Sequence, residues 1–181
     1  MVETSIKINK NKAMINKWIK FNLYGTAFKL KVFGYDKDNE WVKTSWSFKF
    51  EDIISYDRDY EEIFTIDCID YLISYLKKLL NNKIKKIKKV GFFEPDFEFV
   101  LKPQEVWYDP ILKDDPPHVI DICMELNVYL WHKGATPTYF SMTFERKDIQ
   151  RLYDYLVVVS ENGGKEIKKD KYTNFDTKCK K

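Results

Sequence analysis

Long hydrophobic runs are missing from this 181-residue chain. No stretch approaches the roughly 18 apolar residues that a membrane-spanning helix needs, so no membrane partner is expected. The opening Met1-Val2-Glu3-Thr4 starts no apolar leader, which points to a cytoplasmic location. Cysteine is scarce. Cys68, Cys123 and Cys179 form no CxxC pair and leave an odd count, which argues for reduced packing thiols rather than a disulfide framework. Histidine is scarcer still: His118 and His132 sit at the two ends of one strand pattern, about 45 Å apart if it runs straight, too far to share a metal. Only three of the 31 basic residues are arginine (Arg58, Arg146 and Arg151). Bidentate base reading leans on arginine, so nucleic acid is not the expected partner.

Catalytic signatures are also absent. The chain has no HExxH, GxSxG, P-loop or GxGxxG pattern. Gly163-Gly164 follows a helical pattern instead of preceding one, so it cradles no phosphate. Asp36-Lys37-Asp38-Asn39-Glu40 imitates the start of a calcium loop but lacks the glycine and terminal glutamate at the required offsets, and reads as a solvated hairpin turn. No catalytic residue, metal or cofactor is expected, and the chain reads as a non-enzyme.

What is present is charge sorted into blocks. Lys77 to Lys89 carries seven lysines and no acid, whereas residues 36–70 carry eleven acids against four bases and residues 94–125 nine against two. The formal net charge of +3 conceals this. An acidic excess over most of the chain points to a basic partner, because summed surface charge steers encounter. The lysine run reads either as a solvated helix end and loop or as a phosphate-binding strip.

Aromatic residues make up 17% of the chain, enough to build a core of large side chains and leave some for a surface. Phe28 to Val32 and Trp41 to Phe50 alternate with period two around a Gly34–Asn39 turn cluster, which predicts an antiparallel hairpin. Residues 51–64 read as an acidic connection. Ile66, Ile69, Leu72, Ile73, Leu76, Leu79 and Leu80 recur at helical spacing after a Thr65 or Asp67 cap, and Asn81-Asn82 ends that helix. Val90–Phe93 and Phe97–Leu101 predict two short strands, followed by a Pro- and Asp-rich loop over 103–117. Ile120, Ile122, Met124, Leu126, Val128 and Leu130 share one face of a long strand that pairs with Thr138–Phe144. Ile149, Leu152, Leu156 and Val159 mark a second helix.

The expectation is therefore an α+β fold: antiparallel sheet, single or double, of about six strands with two amphipathic helices, in the order strand-strand-helix-strand-strand-strand-strand-helix. Residues 1–160 are expected to form one domain behind a loosely ordered lead-in of twenty residues. Residues 161–181 read as a lysine-rich flexible tail.

The order of elements from Phe21 to Val159 resembles the WapI-like immunity proteins, antidotes to Wap- and Rhs-type polymorphic toxins of bacteria. The resemblance is carried by the strand ending in Gly34-Tyr35, the Trp-bearing strand Trp41–Phe50, the helix with its Leu79-Leu80-Asn81-Asn82 stop and the Phe92-Phe93-Glu94-Pro95-Asp96-Phe97-Glu98-Phe99 segment. The long hairpin and the closing helix Asp148–Leu156 complete it. The lysine-rich tail lies outside this pattern. The resemblance implies a protein that binds and blocks a cognate toxin domain, often a basic nuclease, with no catalysis of its own. On that reading the toxin contacts fall among Asp57, Asp59, Glu61, Glu62, Glu94, Asp96 and Glu98, with Trp107 and Tyr108 as anchors. Three competing classes stay open: a nucleic-acid module using Lys77–Lys89, an enzyme with an unfamiliar site, and an adaptor that binds a peptide at a sheet edge.

Overall fold

The structure, a computed structural model, describes residues 18–36, 39–92, 96–107, 117–130 and 138–162. The first seventeen residues and the tail beyond 162 lie outside it, and with them His132, Cys179 and the Gly163-Gly164 stop.

Period-two alternation builds the first sheet. β1 (Ile19–Leu23), β2 (Thr26–Asp36), β3 (Asn39–Phe50) and β4 (Ile54–Thr65) run antiparallel in chain order. Tyr24 (φ 48°) and Gly25 (φ 78°) close the tight first hairpin, a turn that needs positive φ at both positions. Across the sheet Phe21, Phe28, Phe48 and Tyr56 stand in one row, and Ile19, Leu30, Trp46 and Arg58 in the next. These rows face the core. Lys20, Lys29, Ser47 and Asp57 form a row on the opposite, outer face.

The second half repeats this layout. β5 (Lys88–Gly91) and β6 (Phe97–Lys102) pair, and after an excursion β9 (Cys123–Leu130) and β10 (Thr138–Glu145) complete a second four-stranded antiparallel sheet in the order β10-β9-β6-β5. The excursion is a two-stranded ribbon of β7 (Glu105–Trp107) and β8 (His118–Ile120). A helix follows each sheet, α1 (Ile66–Leu80) after the first and α2 (Arg146–Asn162) after the second.

Thr65 caps α1 by accepting from the Cys68 amide at 3.3 Å, and Asp67 at one end with Lys77 and Lys78 at the other match the helix dipole. α1 buries Ile69, Leu72, Leu76 and Leu79; α2 buries Ile149, Leu152, Tyr155, Leu156 and Val159. The helices pack on each other and join both sheets in one apolar core. Rings stitch the sheets together: Phe97 lies 4.5 Å from Trp46 and 5.6 Å from Phe28, and Phe48 lies 5.6 Å from Phe140. At the β2 bulge the Val32 amide donates to the Tyr155 hydroxyl at 2.8 Å, and burial pushes that phenol up to about 12. Arg146 clamps the seam between halves. It donates twice to the Asp121 carboxylate (2.6 and 2.7 Å), to the Leu80 carbonyl that ends α1 (2.8 Å) and to Asn82 (3.0 Å).

The α+β class, the antiparallel pairing and both helices match expectation. The strands are more numerous, ten among the described residues, and they form two sheets plus a ribbon. Residues 51–64 are not a connection: β4 fills most of that span. Its acids hid the alternation of Ile54, Tyr56 and Arg58, and an edge strand accepts such acids because one side needs no neighbour. The long strand from Ile120 is broken at Asp121-Ile122, where the Asp121 carboxylate takes up the Ile122 amide at 2.8 Å. Ile120 is exposed in the ribbon, whereas Ile122 is buried. The 103–117 loop contains β7, and the strand expected at Val90–Phe93 spans Lys88–Gly91 instead.

Candidate functional site

β4 carries four of the residues singled out from sequence. Asp57 is exposed on the outer face opposite Ser47, and Asp59 follows it. A register shift lies between the Trp46–Arg58 and Thr44–Glu61 pairs, so Asp59 and Tyr60 together oppose Ser45. Tyr60 sits in the left-handed region (φ 61°) and its amide donates to the Ser45 hydroxyl at 3.0 Å. A bulge of this kind re-aims a side chain. Here it turns the Tyr60 ring onto the outer face, against Phe33 at 5.4 Å, with the Lys43 ammonium 5.4 Å above it; the ring stays 44% exposed.

The carboxylates of β4 are interleaved with cations. Glu62 pairs with Lys43, and Glu61 with Arg58 at 3.6 Å. Burial depresses the Lys31 ammonium, and Asp59 opposes that depression. Asp57 and Asp59 make no ion pair among the described residues, so they are the least neutralised acids of the strand.

Arg58 links this strand to the second predicted cluster. Burial works against its charge, but Tyr56, Asp96 and Glu61 outweigh it and raise its pKa; the Arg58 Nε donates to the Tyr56 hydroxyl at 2.8 Å. Asp96 is therefore brought near the β4 group. Glu98 is not. It stands on the outer face of the second sheet, where it accepts from Asn127 at 3.0 Å and pairs with Lys89 at 3.4 Å. Beside it, burial and the Glu98 charge push the Tyr129 phenol up. Glu98 is thus an anchored carboxylate within a Tyr129, Tyr139 and Asn127 surface. Glu94 lies outside the described residues.

Of the expected anchors, Trp107 ends β7 opposite His118, while Tyr108 lies outside the described residues. The ribbon around Trp107 exposes Val106, Val119 and Ile120, each more than half. A contact from Asn82 to Gln104 at 3.4 Å tethers the start of the ribbon to the end of α1. The predicted residues thus fall on three surfaces: β4 with Asp96, the outer face around Glu98, and the ribbon.

A search of curated proteins returns no match. A family model, described as the immunity protein WapI-like family, matches residues 16–161, which covers both sheets and both helices. The chain belongs to the WapI-like immunity protein family. Membership points to a toxin-neutralising role exercised by binding a cognate toxin. Among the described residues of this immunity protein, no group of three or more His, Cys, Asp or Glu is placed to hold a metal ion. No helix among the described residues is long and apolar enough to cross a membrane. Cys68 and Cys123 are partly buried free thiols, and burial pushes the Cys123 thiol up, away from reactivity.

Sequence reasoning missed Tyr60, Arg58 and the apolar ribbon. A tyrosine among four acids carries no mark of a positive φ. Ile120 looked like a core residue because alternation alone does not say which face is covered, and Val106 lay in a span that reads as a loop.

Proposed function

We propose that this immunity protein binds and neutralises a basic, nuclease-type toxin domain of a polymorphic toxin, acts in the cytoplasm, and does so without catalysis. Membership of the immunity family carries the reading. The β4 surface supports it: Asp57 and Asp59 supply exposed negative charge for steering, and the adjacent Tyr60 supplies a half-exposed ring for an anchor. Glu61, Glu62 and Asp96, which lie beside cations, belong to the proposed β4 contact as its orienting members; Glu98, on the outer face of the second sheet, and Glu94 are proposed as separate, additional contacts. Trp107 and Tyr108, with the exposed ribbon, form a second apolar contact.

The test uses the cognate toxin domain as the partner, sought first in the genes adjoining the one for this chain. Reversing Asp57, Asp59, Glu61 and Glu62 to lysine is expected to slow association about tenfold at low ionic strength and to flatten its salt dependence. Because Glu61 and Glu62 have cation partners, the double variant Asp57→Lys/Asp59→Lys isolates steering from stability. An unchanged on-rate in both variants removes β4 from the contact.

A further inference from the structure

Apart from Lys89, which pairs with Glu98, the lysine run takes no part in the surfaces described above. The chain leaves α1 at Asn81, passes through Lys83, Lys85 and Lys86, all exposed, and doubles back so that Lys88 returns beside the helix. There it meets a tyrosine pair. Tyr71 and Tyr75 are one helical turn apart with ring centroids 4.7 Å apart. The Lys78 ammonium stands 4.7 Å and the Lys88 ammonium 5.2 Å from the Tyr75 ring centre. Tyr71 is 46% exposed. Of the nearby acids, Asp70 accepts from Ser160 and Glu98 pairs with Lys89, while Asp67 lies in the first turn of α1, at the opposite end of the helix from the lysines. Lys77, Lys83, Lys85 and Lys86 form no ion pair among the described residues.

Crowded cations without acids repel one another and gather anions. A backbone of regularly spaced phosphates satisfies such a row, and an open aromatic face among the cations stacks an unpaired base. The absence of arginine from this segment removes bidentate base reading and points to sequence-tolerant contact. An acidic protein would neutralise the lysines but leave the Tyr71 face without a stacking partner. We propose that Tyr71, Tyr75 and the lysines from Lys77 to Lys88 form a strip that binds single-stranded nucleic acid without sequence preference. The strip does not rest on the proposed toxin contact and shares none of its residues.

The experiment measures fluorescence anisotropy of a labelled 20-nucleotide oligothymidylate with the full chain at 50 and 200 mM salt. With about five phosphates engaged, affinity falls about 100-fold between the two salts. The variant Lys83→Gln/Lys85→Gln/Lys86→Gln binds more weakly at 50 mM and loses only about 7-fold over the same range, as two remaining contacts require. Tyr71→Ala weakens oligothymidylate about 5-fold or more while leaving heparin, which offers no base to stack, unchanged. Thermal melting checks that these surface variants fold. Absence of binding at 50 mM salt overturns the proposal. So does a triple variant that keeps the wild-type salt slope, since the anion then sits on other lysines. Equal loss of heparin and oligothymidylate on Tyr71→Ala, or tighter binding of a polyglutamate peptide than of the oligonucleotide, also overturns it, the latter in favour of an acidic protein partner.

Discussion

Tyr60→Gly separates the cost of a strained residue from its use. A non-glycine residue in the left-handed region costs roughly 1–2 kcal/mol, which glycine relieves, less about 0.5–1 kcal/mol for the freer unfolded chain. The substitution also removes a ring that is 44% exposed. Half the burial of an aromatic side chain is worth about 1–1.5 kcal/mol, and the exposed Lys43 contact adds about 0.5 kcal/mol. The amide bond to Ser45 survives, since it is a backbone donor. The net change is therefore a destabilisation of about 0–2 kcal/mol. Loss of an interface anchor costs about 2 kcal/mol or more, close to 30-fold in affinity and mostly in the off-rate. Urea melts and biosensor kinetics against the cognate toxin domain read the two quantities separately. Tyr60→Phe, which keeps the ring, should retain both. If Tyr60→Gly leaves affinity intact, or destabilises the fold by 3 kcal/mol or more, the ring is not there for a partner.

Three further outcomes concern the frame that holds these surfaces. Arg146→Lys loses the fork that joins Asp121, Leu80 and Asn82. After allowance for solvent screening of this partly exposed side chain it should cost about 1–2 kcal/mol, roughly 4 °C in Tm; an unchanged melt would show the clamp to be idle. Tyr155→Phe should cost about 1–2 kcal/mol at pH 7 by orphaning the buried Val32 amide. The buried phenol titrates at about 12 against an ordinary value near 10, so its contribution is full below pH 10 and is lost as pH rises toward 12. By pH 11 about 1.4 kcal/mol is gone, and the gap between wild type and variant in urea melts should nearly close; a gap that stays constant contradicts the assignment. Trp46→Phe removes a buried indole N–H that has no partner among the described residues, which offsets the smaller ring. Its cost should stay below about 1.5 kcal/mol, against 3 or more for Trp46→Ala.

Much of the fold was legible because burial on one face leaves a period in the sequence. The β2–β3 hairpin, the stripe from Ile69 to Leu79 and the Met124–Val128 run all declared themselves this way. β4 did not, because an edge strand presents its acids to water and only Ile54, Tyr56 and Arg58 kept the beat. The break at Asp121 was hidden by Ile120, an apolar residue on the right parity but outside the core. The charge blocks were visible from composition, but their meaning was not. Linear excess of acid over base says nothing about the cations that other strands bring alongside, and Lys43, Lys89 and Arg58 each reach a carboxylate that looked free in the sequence. Tyr60 owes its exposure to a bulge, which depends on pairing between strands and leaves no local signature.

The most direct measurement co-expresses this chain with its cognate toxin domain in a bacterial host that the domain alone stops from growing. Growth should return, and the two proteins should purify as a stable complex that loses its protective effect when Asp57, Asp59 and Tyr60 are replaced together. Continued arrest of growth with both proteins folded and present, or protection without any complex, would contradict an antidote that works by binding.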